Sequence, residues 1–329
     1  MQGSLVDEST SVIRVLLLLT LSITMVSSAS ILILLSESPP LVIVFWRTLY
    51  GAIFMAAIGA ARRDFSGVRR TPALVRNWPW LIGIGVVLSF HFSTWFQSLT
   101  MTSVAASVVL VDSSPIITAI LSTLVLGEAL RRRSWIGVVV AVLGAIVLTI
   151  GSVYTGLGPD PLGGNILALL GAFFLAVYFI GGRKYAHDLP ITVYTSIVYL
   201  TAASVTLALC IVAGLEVLVF TPREIVIFIA LAIFPTVLGH SVNNYLLTKV
   251  PAYVISSAVL GEPIGATLLA FLVFAEIPGW LELAGFLVIL LGVGLVLADI
   301  AARERSETLS LDDTDGSESD SLGGDADSI

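Results

Sequence analysis

Residues 115–144 read PIITAILSTLVLGEALRRRSWIGVVVAVLG, and residues 263–292 read PIGATLLAFLVFAEIPGWLELAGFLVILLG. Laid over each other at an offset of 148, Pro115 falls on Pro263, Leu124 and Val125 on Leu272 and Val273, and Glu128 on Glu276. At the same offset Gly137 falls on Gly285, Leu143 on Leu291 and Gly144 on Gly292, and upstream Ser93, Leu99 and Thr100 meet Ser241, Leu247 and Thr248. Leucine and valine coincide by chance in a chain rich in both. A proline, a glutamate and two glycines in the same order are harder to assign to chance, and the chain reads as two copies of one unit.

Composition says where those copies reside. Of 329 residues, 57% are hydrophobic and 12% charged, with a mean hydropathy of +1.01; a soluble domain carries about 25% charged residues. So little charge cannot cover a water-facing surface. The single cysteine, Cys210, excludes a disulfide scaffold, and a net charge of −7 argues against a nucleic-acid partner. From Ser306 to Ile329 eight acidic residues stand without a basic one, a composition read as a disordered, solubilising tail.

A membrane core about 30 Å thick needs about 20 apolar residues in a helix. Interruptions by glycine, proline and charge leave ten such runs, near 11–35, 41–61, 78–99, 102–126, 134–151, 162–181, 191–213, 224–247, 251–274 and 280–301. Helices are expected because lipid offers no partner to a free amide. The first run continues through Ile31–Leu35 and follows Asp7 and Glu8, so it reads as a first span and not as a cleaved signal. The expectation is an all-α polytopic membrane protein of ten transmembrane helices. Its parts are a tail at 1–10, a first repeat at 11–151, a linker at 152–161, a second repeat at 162–301 and the acidic tail at 302–329.

The basic residues set the sidedness. Arg62, Arg63, Arg69, Arg70, Arg76, Arg131, Arg132, Arg133, Arg183, Lys184, Lys249, Arg303 and Arg305 fall on alternate loops sharing one face, and the opposite loops hold only Arg223. The positive-inside rule then puts both termini in the cytoplasm of a multi-pass plasma-membrane protein. Five spans per copy is an odd number, so the copies enter from opposite sides. Such inverted repeats are the architecture of secondary transporters, in which two mirrored halves exchange conformations between outward-open and inward-open states.

At this point the chain resembles the EamA family of the drug/metabolite transporter superfamily. The residues carrying the resemblance are Val44-Phe45-Trp46-Arg47, Pro115 with Leu126-Gly127-Glu128, Gly137 and Gly144, and their echo Glu262-Pro263, Glu276, Gly285 and Gly292. It covers roughly residues 11–301. The resemblance implies ten helices in two five-helix repeats, a central cavity and transport of small organic solutes. The second copy departs from the first with Phe274-Ala275-Glu276 in place of Leu-Gly-Glu, and nothing in span seven answers Arg47.

Five ionisable residues sit well inside the expected spans: Arg47, His91, Asp112, His240 and Glu262. Such groups are costly in lipid and usually face protein or water. Arg47 can hold a carboxylate or phosphate through two hydrogen bonds, or it can pair with Asp112 or Glu262. Asp112 and Glu262 precede Pro115 and Pro263, read as mid-helix kinks that free the carbonyls of Val111 and Val259 beside a carboxylate fit for a cation, a proton or an ammonium. His91 and His240 are candidates for a proton relay or for packed, hydrogen-bonded histidines. Trp95, Asn243 and Asn244 are expected to line the same cavity, with Tyr178, Tyr194 and Tyr199 as weaker candidates of the kind. Gly137, Gly144, Gly285 and Gly292 give spans five and ten small faces for close packing, with a homodimer contact as one use of them.

The leading expectation is thus a secondary transporter of amino acids or related amphoteric solutes, exporters included, driven by a proton or sodium gradient or by the solute's own. No GxxxxGK[ST] loop is present for ATP hydrolysis, and no cofactor or metal-ligand pattern appears. A channel, a non-transporting scaffold and an intramembrane enzyme are the alternatives. The last lacks HExxH or any recognisable nucleophile setting.

Overall fold

The computed structural model describes residues 12–66, 72–126, 132–186, 189–218, 221–249 and 261–292, with 255, 259, 294–295, 298–299 and 302. Gly127 and Glu128 of the repeated motif, Arg69, Arg70 and Arg131 of the basic loops, and the acidic tail lie outside the described residues. Within them all regular structure is helical: α1 (Val12–Ser27), α2 (Ala29–Leu35), α3 (Pro40–Ala61), α4 (Pro72–Leu99), α5 (Val104–Val111), α6 (Ser114–Leu126), α7 (Arg132–Thr155), α8 (Pro161–Tyr185), α9 (Ile191–Val212) and α10 (Pro222–Leu231). A π-helical segment (Ala232–His240), α11 (Ser241–Leu247) and α12 (Glu262–Phe274) follow, and then α13 (Trp280–Gly292). Seven described helices are long and apolar enough to cross a membrane, and three shorter apolar helices stand where spans four, nine and ten are expected.

Helix starts follow local chemistry. Pro40, Pro161 and Pro222 occupy first-turn positions, where the missing amide hydrogen is not needed. Ser103 accepts from the Ala106 amide, Asp160 from Gly163 and Thr221 from Glu224, each filling a donor that the helix leaves open.

Two expected helices are broken where kinks were expected. Span four stops at Val111, turns through Asp112 and Ser113, and restarts at Ser114. In span nine, Gly261 precedes a helix that begins at Glu262 with Pro263 in its first turn. Pro115 and Pro263 therefore open helices and do not bend their middles. The physical reason is the same in both copies, since a proline is tolerated in a first turn and disruptive in an interior. Span one also divides, at Ser28. Span eight carries the π segment around Pro235, with Thr236 Oγ1 donating to Leu231 O, five residues back, at 2.9 Å. A proline that cannot donate, inside an apolar run, favours such a widened turn.

The helices of the two halves interleave. α3 packs on α9, α4 on α8 and α9, α1 on the π segment, and α5 on α12. α7 and α13 run antiparallel: a methyl group on Gly144 would come 2.6 Å from the Ile289 amide, one on Gly292 2.6 Å from Gly137 O, and one on Gly151 2.7 Å from the Glu282 amide. The pair is tied at one end by Ser134 Oγ donating to Asp299 Oδ2 at 2.6 Å. The glycine faces of Gly137, Gly144, Gly285 and Gly292 are thus packed against each other inside one chain. Their opposite faces, with Ile136, Val139, Leu143, Leu287 and Leu291, are exposed, as lipid-facing surfaces are.

Candidate functional site

Arg47 stands seven residues into α3 and is fully buried. Its Nε donates to Thr236 Oγ1 at 2.7 Å. Its guanidinium lies 4.1 Å from the centre of the Phe92 ring and 5.3 Å from that of Phe96, a desolvated cation–π stack that contributes about 2 kcal/mol. Nη1 and Nη2 have no hydrogen-bond partner. No ion pair joins Arg47 to Asp112 or Glu262 among the described residues, so the internal pairing weighed from the sequence is absent. Gly51, one turn along α3, makes room for Thr236: a methyl there would meet its Cγ2 at 2.9 Å.

Phe92 also meets His240, which lines a cavity with Val26, His91, Trp95, Asp112, Leu175, Phe179, Asn243 and Glu262, among others. The space left for a guest is about 20 Å³, enough for one water molecule and too little for an organic solute. The ring centres of His91 and His240 are 6.5 Å apart, and Phe92 lies edge-on to His240 at 5.3 Å. His91 Nδ1 is 2.9 Å from Gly171 O. Trp95 stacks on His91 at 6.0 Å. Asp112, at the break of span four, is 2% exposed and its Oδ2 has no partner; Trp95 Nε1 and His240 Nδ1 also have none. Glu262, at the start of α12, is 8% exposed. Asn243 accepts from Ser22 Oγ at 2.6 Å, tying α11 to α1.

Asn244 faces away from this cavity. Its Nδ2 donates to Tyr178 Oη at 2.6 Å and to His240 O at 2.8 Å, while Tyr199 Oη and Ser241 Oγ are 3.0 Å apart. These groups build a second polar layer on the Arg47 side, together with the unpartnered Tyr194 Oη and Asn244 Oδ1. Thr236, Phe92, Phe96 and Phe179 were not singled out from the sequence. Pro235 was the available sign for Thr236, because a proline in span eight predicts a local departure from the α-helical ladder.

Carboxylates of the second half bridge to loops and helix starts of the first. Glu224 accepts from Ser36 Oγ, from the Glu37 amide at 2.9 Å and from Ser38 Oγ at 2.7 Å. Glu276 accepts from the Val104 amide at 2.8 Å, and Glu282 from Ser103 Oγ at 2.7 Å. Glu276 lies in the connection between α12 and α13; burial pushes its carboxyl up from the ordinary value, Glu282 adds to this, and the amides of Val104 and Ala105 pull it back.

Among the described residues no cluster of three or more metal-ligating side chains occurs. The model of the EamA-like transporter family matches residues 12–150 and again 162–298. Over 159 residues the chain is 30% identical to the aromatic amino acid exporter YddG of Ancylobacter novellus, covering 47% of this chain and 52% of that protein. The match to the uncharacterized transporter YyaM of Bacillus subtilis, 28% identical, covers 36% and 40%, so the chain spans about half the length of these relatives or less. A longer match, 23% identical, covers 87% of this chain and 97% of an uncharacterized transporter of Archaeoglobus fulgidus. A solved crystal structure superposes with a TM-score of 0.63 at 22% identity, covering 87% of this chain and 98% of the other, which fixes likeness of fold.

Proposed function

We infer the function from one premise: this chain belongs to the EamA-like transporter family, and it is a multi-pass membrane protein. On that premise we propose a secondary carrier of small amphoteric metabolites, amino acids foremost, working by alternating access. The observation that carries the reading is Arg47, buried at the centre of the bundle with both terminal nitrogens unpaired. An unfilled guanidinium fork in lipid is expensive, and intramembrane ionisable groups mark solute and ion paths. A solute carboxylate would fill the fork with two hydrogen bonds. Its ammonium group would then meet Asp112 and Glu262, with Trp95, Phe92 and Phe179 as aromatic walls.

Alternating access draws support from the helix pairing. Counting spans one to ten along the chain, the contacts two–seven, four–nine and five–ten each join equivalent spans. Contact three–six exchanges with eight–one, three–seven with eight–two, and four–six with nine–one, and all six occur. These nine contacts map onto one another when the halves are swapped, which supports two inverted five-helix copies related by an axis in the membrane plane. In this reading the loops rich in arginine, and both termini, lie in the cytoplasm, and the bridges of Glu224, Glu276 and Glu282 are extracytoplasmic. Both repeats, 11–151 and 162–301, contribute to one site.

The relative named as an aromatic amino acid exporter makes L-phenylalanine and L-tryptophan the first solutes and export the first direction to try. The test is counterflow of labelled amino acids in proteoliposomes containing the purified chain. Trans-stimulated exchange is expected. Conductance without trans-stimulation would indicate a channel, and absence of exchange or stabilisation with any amino acid would end the amphoteric assignment.

A further inference from the structure

The cavity and Arg47 hold three groups of formal charge inside the bundle: one guanidinium and two carboxyls, Asp112 and Glu262. Asp112 and Glu262 line one small cavity, and Arg47 stacks at 4.1 Å on Phe92, which lies edge-on at 5.3 Å to His240 of that cavity. The other titratable groups are His91 from α4 and His240 from the π segment, which line the cavity, and, on the Arg47 side, Tyr199 from α9 and Tyr178 from α8, bridged by Ser241 and Asn244; α1 presents Val26 to the cavity. No ion pair neutralises either carboxyl among the described residues, and the remaining space admits no more than a water molecule. Net charge in such a place is opposed by the loss of hydration of each ion. With the imidazoles and phenols neutral and the guanidinium always charged, neutrality allows one of the two carboxyls to ionise and requires the other to keep its proton.

We propose that Arg47, Asp112 and Glu262 act as one electroneutral unit holding a single exchangeable proton, so that the number of protons moved with each solute is set by the solute's own charge. The inference rests on reading this cluster as the solute site. A cationic amine entering as R–NH3+ ionises the second carboxyl and releases one proton, which makes the cycle an antiport. A zwitterion brings one charge of each sign, so the proton stays. A carboxylate anion takes up the fork of Arg47, and the remaining ionised carboxyl then gains a proton, which makes the cycle a symport. Proton coupling is thus a property of the solute class and not of the carrier alone.

The test uses full-length protein in detergent and weak buffer near neutral pH, with 2-phenylethylamine, L-phenylalanine and phenylacetate as probes of the three charge classes. Per molecule bound, one proton released, none, and one taken up are expected. An identical count for any two of the probes overturns the proposal. A measurement without solute decides it independently. The infrared carbonyl band of a protonated carboxylic acid should be present in the empty wild type. Asp112→Asn alone or Glu262→Gln alone should abolish it, because the surviving carboxyl must balance Arg47. Arg47→Gln should double it, since neither carboxyl then has a positive partner. A band untouched by both acid substitutions, or unchanged by Arg47→Gln in protein that remains monodisperse, overturns the proposal. If none of the three probes binds, the solute assignment fails and the infrared band still decides the proton.

Discussion

Arg47 Nε and Thr236 Oγ1 are 2.7 Å apart, and this hydrogen bond joins α3 of the first half to the widened turn of the second. Thr236 Oγ1 in turn donates to Leu231 O at 2.9 Å, so the hydroxyl is held in the orientation that accepts from the guanidinium. The fork that points onward, Nη1 and Nη2, is left free of protein partners. A charge fixed in place on one edge and left unpaired on the other keeps both terminal nitrogens for a planar anion.

Arg47→Lys keeps the charge and loses the fork. An ammonium is a compact point donor and cannot make the paired contact. The expected outcome is at least about a tenfold loss of affinity for carboxylate-bearing solutes, the equivalent of about 1.4 kcal/mol, with folded yield retained. Binding isotherms for L-phenylalanine and its decarboxylated amine check it, since the amine should lose far less.

Thr236→Val leaves Nε unpaired in the interior while conserving shape. An unsatisfied buried donor costs about 1–3 kcal/mol, and more for a charged group. A lower unfolding midpoint in detergent and a lower uptake rate are both expected, whereas Thr236→Ser should restore most of each. Equal behaviour of the two variants would mean that the hydroxyl does not position Arg47.

Gly144→Leu should be far more damaging than Leu143→Ala. Gly144 meets the backbone of α13, with the Ile289 amide 2.6 Å from where a methyl would sit, whereas Leu143 is 55% exposed on the outer face. Overpacking costs about 1–3 kcal/mol, and more where backbone must move. Thermal unfolding of the two variants, compared at equal detergent, reads the difference directly.

Much of the architecture was legible because it rests on local signals. Apolar runs pointed to the seven described helices long enough to cross a membrane and to the shorter apolar ones, and the order of proline, glutamate and glycine agrees with the two family matches. The five intramembrane ionisable residues were legible as a set because lipid makes each of them costly. The geometry between them was not. Pro115 and Pro263 start helices and do not kink them; Asp112-Ser113-Ser114 before the one and Gly261-Glu262 before the other are the local signs of it, because a proline suits a first turn better than an interior. The stacking of Arg47 on Phe92 and Phe96 comes from how α3 meets α4, a tertiary contact that no periodicity encodes. The π segment adds one residue to a turn inside the run around Pro235, too small a change to register in hydropathy.

Glu276 should make stability depend on pH with a definite sign. Its folded carboxyl holds its proton to a higher pH than the unfolded one, so between the ordinary carboxylate value and the raised one the folded state binds more protons. Stability is then greatest below that window and falls as pH rises through it. Unfolding midpoints of wild type and Glu276→Gln measured from acid to neutral pH should converge at the acid end and separate as the wild type declines. Parallel curves would remove Glu276 from the account.

The same end of the bundle supplies the test of movement. Ser103 Oγ donates to Glu282 Oε1 at 2.7 Å, joining the start of α5 in one half to α13 in the other, beside the Glu276 contact with the Val104 amide. If the halves rock about the central site, this seam must part in every cycle. Cysteines at both positions, in a Cys210→Ala background that removes the native thiol, allow a short thiol-cleavable crosslinker to hold it shut. Crosslinked protein should bind solute from the opposite side yet give no counterflow, and cleavage should restore exchange. Counterflow at the uncrosslinked rate with the seam held shut would mean that this end does not open, and that the solute leaves by another route.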